Sequence, residues 1–448
     1  MRRLGFPLLL IFAVAFMTSC DRQKEVPRSA NLTALAKEFV ASLAKEEFPD
    51  AAGSFDSVMK KALPSEKLRE GWKSLVAQAG PFQRQVGVRT ERMGEYAAVF
   101  VICEFEKAAV DIKVVFNSAS QITGLWFLPG KPATEYEPPA YARPHTFRER
   151  EIRVGAGEWA LPGTLSLPMG EGPFPVVVLV HGSGPHDRDE SIGPNKPFRD
   201  LAWGLASRGI AVLRYEKRTK EHVAKVLSIK EGLTVKEETI DDALSAVAVL
   251  KKTRETDAQK IFVLGHSLGG MLIPRIAARD PGVAGFIVMA GTARPLEDVI
   301  LDQTSYLVSL DGTISESEKR HLEQVKVQVA RVKDPKLSVV VASADRLLGA
   351  SCKYWLDLRG YNPPKAAESV KQPMLILHGE SDYQVTREDF QLWKKSLSGR
   401  ANVEFKVYPK LNHLFIEGQG KSTPAEYQRA GHVAKIVIDD IANWIKRQ

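Results

Sequence analysis

The sequence predicts two folded parts, a small α+β domain followed by a larger α/β domain on a mostly parallel sheet. Three observations predict this arrangement. The chain has 448 residues, which is too long for one ordinary domain. From about residue 147 onward, short β-branched apolar runs alternate with helical patterns, as in parallel sheets covered by helices on both faces. Ahead of that point, two helical patterns precede four strand-like runs.

Composition and charge narrow the class of protein. Hydrophobic residues make up 44% of the chain and charged residues 26%, which is typical of a chain that folds around a core. The formal charge is +8. The basic residues are scattered among acids and form no long run, so we expect no nucleic-acid partner.

The N-terminus predicts export. Arg2 and Arg3 precede an apolar run over residues 4–17, followed by Thr18-Ser19-Cys20. Such a run is short for a membrane span but suits the core of a signal peptide. Residues 1–20 resemble a bacterial lipoprotein signal, which implies a lipidated Cys20, a polar tether over 21–30 and a membrane-anchored protein of the cell envelope facing the periplasm or exterior. Plain secretory cleavage and an uncleaved anchor remain the alternatives.

The first domain is predicted over residues 31–129. A helical pattern begins at Asn31 and a second helix is expected around Ser65–Gln78. The strand-like runs are Gln83–Arg92, Tyr96–Glu106, Ala109–Phe116 and Gln121–Leu128. In pattern and position this part resembles the cone-shaped, nuclear-transport-factor-like domains found ahead of bacterial hydrolases. A Pro-rich stretch over 130–145 then predicts a stiff linker.

The second domain is predicted over residues 146–448. Two runs, Glu151–Val154 and Gly163–Leu167, predict an antiparallel entry to the sheet. A capping-box pattern at Thr239 and Asp242 predicts a helix start, and a closing helix is expected after Val433. The parallel strands are predicted at Val176–Val180, Ile210–Tyr215, Ile261–Leu264, Phe286–Met289, Met374–Leu377 and Val403–Tyr408.

The segment Gly265-His266-Ser267-Leu268-Gly269 carries the strongest chemical signal. It follows a predicted strand directly and precedes a helical run. A nucleophile at such a strand-to-helix turn needs glycine on both sides because the turn is too tight for side chains there. This context predicts that Ser267 is held out at the positive end of a helix.

With this motif, residues 146–448 resemble the α/β-hydrolase superfamily, particularly bacterial carboxylesterases and dienelactone-hydrolase-like or peptidase-like relatives. The resemblance continues at His181-Gly182-Ser183, directly after a predicted strand. It implies an oxyanion hole made by the backbone N–H groups of Ser183 and Leu268. It also implies that His181 is structural.

The family's chain order of serine, acid and histidine implies the other two catalytic residues. Asp382 follows a predicted strand and a Gly turn, where the family places its carboxylate. Asp298 is a minor alternative, and Asp389 is expected at the surface. Of the nine histidines, only His413 and His432 follow Asp382. His413 is the predicted base because it lies in the loop after the last strand.

A long insertion over about 293–371 lies in the position of a family lid. Its aromatic residues Tyr354, Trp355 and Tyr361 are candidates to line an acyl pocket. They are equally suited to fasten the insertion to the body, and the sequence does not separate these interpretations.

These residues together predict a serine hydrolase that cleaves carboxylic esters through an acyl-enzyme, with a small-molecule ester as substrate. No metal or organic cofactor is expected, because no Cys-x-x-Cys spacing exists and the triad needs none. Cys103 and Cys352 are expected to be free thiols. A serine peptidase or thioesterase with the same triad, and a surface-anchored binding module, are the competing hypotheses.

Overall fold

The computed structural model describes residues 29–93, 96–106, 108–130, 136–338, 346–418, 420 and 422–448. It divides into two compact units, Met1–Glu135 and Tyr136–Gln448. This division falls inside the Pro-rich stretch predicted as a linker. The predicted signal peptide, Cys20 and most of the tether lie outside the described residues.

The first unit contains helices and one antiparallel sheet in the order β1-β2-β3-β4. Its elements are α1 Ser29–Ala44, α2 Phe48–Gly53, α3 Ser57–Ala62, α4 Ser65–Ala79, β1 Phe82–Met93, β2 Tyr96–Phe105, β3 Ala109–Phe116 and β4 Ile122–Pro129. The sequence predicted the four strands and two of the helices. It missed α2 and α3, because six-residue helices are too short to show a helical period. The Asp56 side chain caps α3 by accepting the N–H groups of Val58 and Met59.

The second unit is built on an eight-stranded sheet in the order β12-β11-β10-β9-β7-β8-β6-β5. The strands are β5 Phe147–Val154, β6 Leu161–Pro168, β7 Phe174–Val180, β8 Ala211–Tyr215, β9 Thr256–His266, β10 Gly285–Met289, β11 Met374–Gly379 and β12 Val403–Tyr408. β7 to β12 are parallel to one another, and β5 and β6 enter antiparallel as predicted.

Helices cover both faces of this sheet, which is why its central strands are apolar on both sides. The helices are α5 Pro197–Ala206, α6 Arg218–Glu221, α7 Val223–Ser228, α8 Asp241–Leu250, α9 Leu268–Ala277, α10 Leu296–Val308, α11 Glu316–Lys333, α12 Cys352–Leu358, α13 Pro363–Ala367, α14 Arg387–Leu397 and α15 Lys435–Arg447. One core layer contains α8, α9, α12, α13 and α14, and the other contains α5 and α15.

The predicted helix start at Thr239 is wrong. A π-helical turn over Lys236–Ile240 runs directly into α8, so Thr239 lies inside the helical segment. The Arg218 guanidinium donates two hydrogen bonds to the Asp242 carboxylate, at 2.5 and 3.0 Å. The Asp242 side chain therefore pairs with Arg218 instead of accepting the backbone N–H of Thr239, as a capping box would require.

Residues 136–145 of the predicted linker belong to the second unit and pack against the rest of it. The Tyr136 hydroxyl donates to Asp200 at 2.5 Å, and the Tyr141 hydroxyl donates to the Val433 carbonyl at 2.7 Å. The insertion predicted over 293–371 contains α10 to α13. Within the described residues, no helix combines the length and the apolar character needed to cross a bilayer.

Candidate active site

Ser267 stands between the end of β9 and the start of α9, with φ 53° and ψ −115°. Glycines make this sharp turn possible. A Cβ on Gly265 would lie 2.3 Å from the Gly269 backbone, and one on Gly269 would lie 2.3 Å from the Val180 carbonyl oxygen. The Ser267 N–H donates to the Met289 carbonyl at 2.9 Å, which ties the turn to the neighbouring strand.

Asp382 and His413 meet beyond the carboxyl ends of β11 and β12. The Asp382 Oδ1 accepts the N–H groups of Gln384 and Val385, at 2.7 and 3.0 Å, which orients the carboxylate. Its Oδ2 lies 2.7 Å from His413 Nδ1, and both residues are buried. With Nδ1 engaged, Nε2 is the ring nitrogen left to take up a proton.

The loop that carries His413 is held against the serine turn. The His266 Nε2 lies 2.9 Å from the His413 carbonyl oxygen, and the two rings are 4.7 Å apart. The Asn412 side chain shapes the loop by accepting the N–H groups of Leu414 and Ile416. The three predicted catalytic residues, from β9, β11 and β12, therefore come to one edge of the sheet.

The loop after β7 passes beside the Ser267 side chain. A Cβ on Gly182 would lie 3.1 Å from Ser267 Cβ and 3.6 Å from its Oγ. Leu268 is the first residue of α9, so its N–H has no partner within the helix. Among the described residues, the Ser183 N–H also donates to no protein acceptor. Both predicted oxyanion donors thus belong to segments that meet at Ser267.

Two site residues that the sequence did not single out are Glu190 and His266. The buried Glu190 carboxylate accepts the Gly182 N–H at 2.6 Å and lies 2.9 Å from His266 Nδ1. Burial opposes the charge of each, but the opposite charge of the partner outweighs it, so the pKa of Glu190 is lowered and that of His266 is raised. Only the fold could reveal this pair, because its members are far apart in the chain.

Lys217 is a third residue that the sequence did not indicate. It is only 2% exposed, and its Nζ donates to the Gly182 carbonyl at 2.7 Å. The same ammonium lies 2.9 Å from the Glu238 carboxylate. Lysine is almost never fully buried without such a partner.

His181, predicted to be structural, is buried with its Nε2 3.0 Å from the Asp187 carbonyl. Burial lowers its pKa to about 3, so the ring is neutral near pH 7. The neighbouring Arg188 and Asp189 form ion pairs with Glu216 and Arg214 respectively. These pairs hold the loop that follows the predicted oxyanion segment.

The contacts of Tyr354, Trp355 and Tyr361 favour the interpretation in which they fasten the insertion to the body. The Tyr361 hydroxyl donates to the Met271 carbonyl at 2.8 Å, and the Trp355 indole donates to the Leu347 carbonyl at 2.7 Å. Tyr354 is packed against the core, where burial and the adjacent Glu238 raise its pKa. These side chains pack into the body and the base of the insertion and so fasten the insertion in place.

Other aromatic side chains lie beside the triad acid. Tyr383, directly after Asp382, stacks on Tyr306 of α10 with ring centroids 5.0 Å apart. The Tyr306 hydroxyl donates to the Ser422 carbonyl at 2.7 Å. The first helix of the insertion, rather than α12, therefore approaches the site.

Two further acidic residues that the sequence analysis discussed make contacts away from His413. Asp389, expected at the surface, is fully buried, so that expectation is wrong. It accepts the Ala293 N–H at 2.9 Å and completes a capping box with Thr386 at the start of α14. Asp298, the minor alternative for the triad acid, pairs instead with Lys333 of α11.

Within the described part of the chain, neither the cysteines nor a cluster of metal-binding side chains indicates a second functional site. Cys103 is a free thiol, and the side chains of Cys103 and Cys352 are both buried. No group of three or more His, Cys, Asp or Glu side chains there is arranged to hold a metal ion.

Comparison with known proteins shows the family of this chain. A family model described as serine aminopeptidase, S33, matches residues 172–419. Esterase EstD of Thermotoga maritima is 44% identical over 409 residues, which cover 91% of this chain and 93% of that protein. The chain belongs to this α/β-hydrolase family. It is a hydrolase of the carboxylesterase type.

Two further proteins and a second family model are also similar to parts of this α/β hydrolase. A monoacylglycerol lipase of Mycolicibacterium smegmatis is 24% identical, over 61% of this chain and 88% of that protein. The solved structure of Est1E from Butyrivibrio proteoclasticus has a TM-score of 0.43 at 14% identity and covers 66% of this chain and 99% of that one. Residues 36–125 of the hydrolase match a model described as a protein of unknown function, DUF3887.

Proposed function

We propose that this protein is a serine esterase that cleaves carboxylic esters through an acyl-enzyme on Ser267, with His413 as base and Asp382 as its orienting acid. The observation that carries the proposal is the 2.7 Å contact between Asp382 and His413 Nδ1, on a loop bonded to the turn that presents Ser267. A serine hydroxyl is too weakly acidic to attack an ester unaided, so it needs such a base.

The reaction follows from the proposed roles. The Ser267 Oγ attacks the ester carbonyl while His413 Nε2 takes the hydroxyl proton. The negative charge on the former carbonyl oxygen faces the N–H groups of Ser183 and Leu268. His413 then gives its proton to the leaving alkoxide, and the acyl group stays on Ser267. Water attacks the acyl-enzyme while His413 takes one of its protons. That proton returns to Ser267 Oγ as the carboxylic acid leaves, and the acid then ionises in water.

An ester substrate is favoured by the relatives. EstD is named an esterase and the mycobacterial relative a monoacylglycerol lipase. The family model carries the name of a serine aminopeptidase, so peptide cleavage is the competing activity, and the same triad chemistry would serve it.

The deciding experiment compares wild type with Ser267→Ala on p-nitrophenyl esters of increasing acyl length. We expect turnover by the wild type and a loss of kcat of about a million-fold in the variant. Ser398→Ala, at an exposed serine beyond α14, is the control and should leave kcat unchanged. Retained turnover in Ser267→Ala would contradict the proposal, and faster cleavage of alanine p-nitroanilide than of any ester would favour a peptidase.

We also propose that the protein is exported and anchored to the cell envelope through a lipid on Cys20. The support is the sequence pattern over residues 1–20. Cells that express the full chain should incorporate labelled palmitate into it and retain it in the membrane fraction, and Cys20→Ala should abolish both. Labelling that persists in Cys20→Ala would refute the anchor.

A further inference from the structure

Gly182, the residue before the predicted oxyanion donor Ser183, has both of its backbone polar groups held by buried charged side chains. Its N–H donates to the Glu190 carboxylate at 2.6 Å. Its carbonyl oxygen accepts from the Lys217 ammonium at 2.7 Å. Glu190 is 1% exposed and Lys217 is 2% exposed, so water does not compete for either bond.

The bond from Lys217 fixes more than the carbonyl that it contacts. The Gly182 carbonyl and the Ser183 N–H belong to one peptide group, and this peptide is trans. In a trans peptide the C=O and the N–H point in opposite directions. Holding the Gly182 oxygen on the Lys217 side therefore turns the Ser183 N–H to the opposite side.

This peptide would otherwise be free to rotate. Glycine populates many backbone conformations, and the segment has Gly182 before Ser183 and Gly184 after it. Gly184 has φ 96°, in the left-handed region. The Ser183 carbonyl is the acceptor for the His186 ring at 2.6 Å, which anchors the following peptide but not the one between residues 182 and 183.

The Lys217–Glu238 pair is a costly way to gain stability alone. Removing two charges from water carries a large desolvation cost, and apolar replacements for buried ion pairs are often neutral or stabilising. A charged donor nevertheless makes a stronger hydrogen bond to a carbonyl than a neutral one. The pair is thus better suited to setting an orientation than to holding the fold together.

We propose that Lys217 is a positioning residue that selects the orientation of the 182–183 peptide in which the Ser183 N–H faces the oxyanion formed at Ser267. The inference rests on the serine-esterase function proposed above and deepens it. Lys217 itself touches neither substrate nor the reacting atoms. It acts through the Gly182 carbonyl, and its effect belongs to the transition state rather than to substrate binding.

The test is the double variant Lys217→Met/Glu238→Gln, which removes the bond to Gly182 without leaving a buried charge unpaired. On p-nitrophenyl butyrate we expect kcat to fall by about 10²–10³-fold, the scale of losing one oxyanion donor, with KM within about twofold. The inhibition constant of butylboronic acid, whose serine adduct is tetrahedral, should rise in parallel, and the melting temperature should not fall. Lys220→Met, at an exposed lysine one turn along, should change none of these quantities.

Ser267→Ala, assayed in the same series, separates the two proposals. If Ser267→Ala keeps activity, the serine-esterase function itself fails. If Ser267→Ala is inactive but the double variant keeps kcat within about threefold, the Lys217 inference is overturned and the esterase stands. A lower kcat with an unchanged inhibition constant for the boronic acid also overturns it. So does a lower kcat that is accompanied by both a lower melting temperature and a higher KM.

Discussion

Ser267 occupies a backbone conformation that is ordinarily left to glycine. Its φ of 53° with ψ of −115° costs a residue with a Cβ about 1–3 kcal/mol. The close backbone contacts of Gly265 and Gly269 hold the turn on both sides, and the strained conformation therefore persists. In this conformation the strand ends and the helix begins within one residue, which presents the side chain at the edge of the sheet.

This strain predicts a difference between two inactive variants. Ser267→Gly should be more stable than Ser267→Ala by about 1 kcal/mol, because glycine adopts positive φ without steric cost. Urea unfolding of the two proteins measures the difference in free energy of unfolding. An alanine variant at least as stable as the glycine variant would show that the turn is not strained.

The Glu190–His266 pair predicts a pH dependence of stability. The folded-state pKa of His266 is raised above its ordinary 6.5, so its contribution is fully present below pH 6.5 and is lost as the pH rises through the raised value. The pKa of Glu190 is lowered from its ordinary 4.5, so its contribution is present above pH 4.5 and is lost as the pH falls through the lowered value.

Wild type should therefore exceed Glu190→Gln/His266→Gln in stability most between pH 4.5 and 6.5. Urea unfolding of both proteins across pH 4 to 9 gives the difference, and the comparison cancels most other titrating groups. A difference that grows steadily above pH 6.5 would contradict the paired charges.

At the scale of elements, the site depends on how closely β7, β9 and α9 approach one another. Gly269→Ala would place a methyl group 2.3 Å from the Val180 carbonyl oxygen. We expect a loss of about 3 kcal/mol or more in the free energy of unfolding, since neither backbone can move without disturbing the sheet. Gly399→Ala is the matched control, because nothing lies within 4 Å of its added Cβ. Equal melting temperatures for the two variants would contradict this close approach.

The insertion allows a test of whether Tyr361 fastens it to the body or lines an acyl pocket. Tyr361→Phe removes the hydroxyl that donates to the Met271 carbonyl and should lower stability by about 1 kcal/mol. The profile of kcat/KM against acyl length should stay the same, because the ring packs on the body and beneath Arg275. A changed acyl-length preference would show instead that Tyr361 lines the acyl pocket.

At the scale of the whole molecule, the two units have separate hydrophobic cores. All residues proposed for catalysis lie in the unit that begins at Tyr136. A protein made of residues 136–448 should therefore fold and hydrolyse p-nitrophenyl butyrate with the kcat of the full chain. An inactive but folded fragment would show that the first unit contributes to catalysis.

The sequence predicted the fold through patterns that are local. Apolar runs located the strands of the main sheet, and the Gly-x-Ser-x-Gly turn located Ser267 between β9 and α9. The sequence did not predict the contacts between segments that are far apart in the chain. Glu190 and Lys217 look like ordinary loop charges until the fold buries them against Gly182. Asp389 was misplaced for the same reason, since the groups that donate hydrogen bonds to it lie almost a hundred residues earlier in the chain.

One carboxylate links three segments of this site: Glu190 binds the Gly182 N–H in the loop after β7, contacts His266 in the serine turn and, through His266, holds the loop that carries His413. Substitutions at such a junction are not additive. Glu190→Gln alone leaves His266 without its counter-ion, and a change of His266 alone leaves a buried carboxylate unpaired. Divergence of this site, in nature or in a selection experiment, should therefore proceed by paired replacements at positions 190 and 266, and libraries that vary one position at a time should miss the functional combinations.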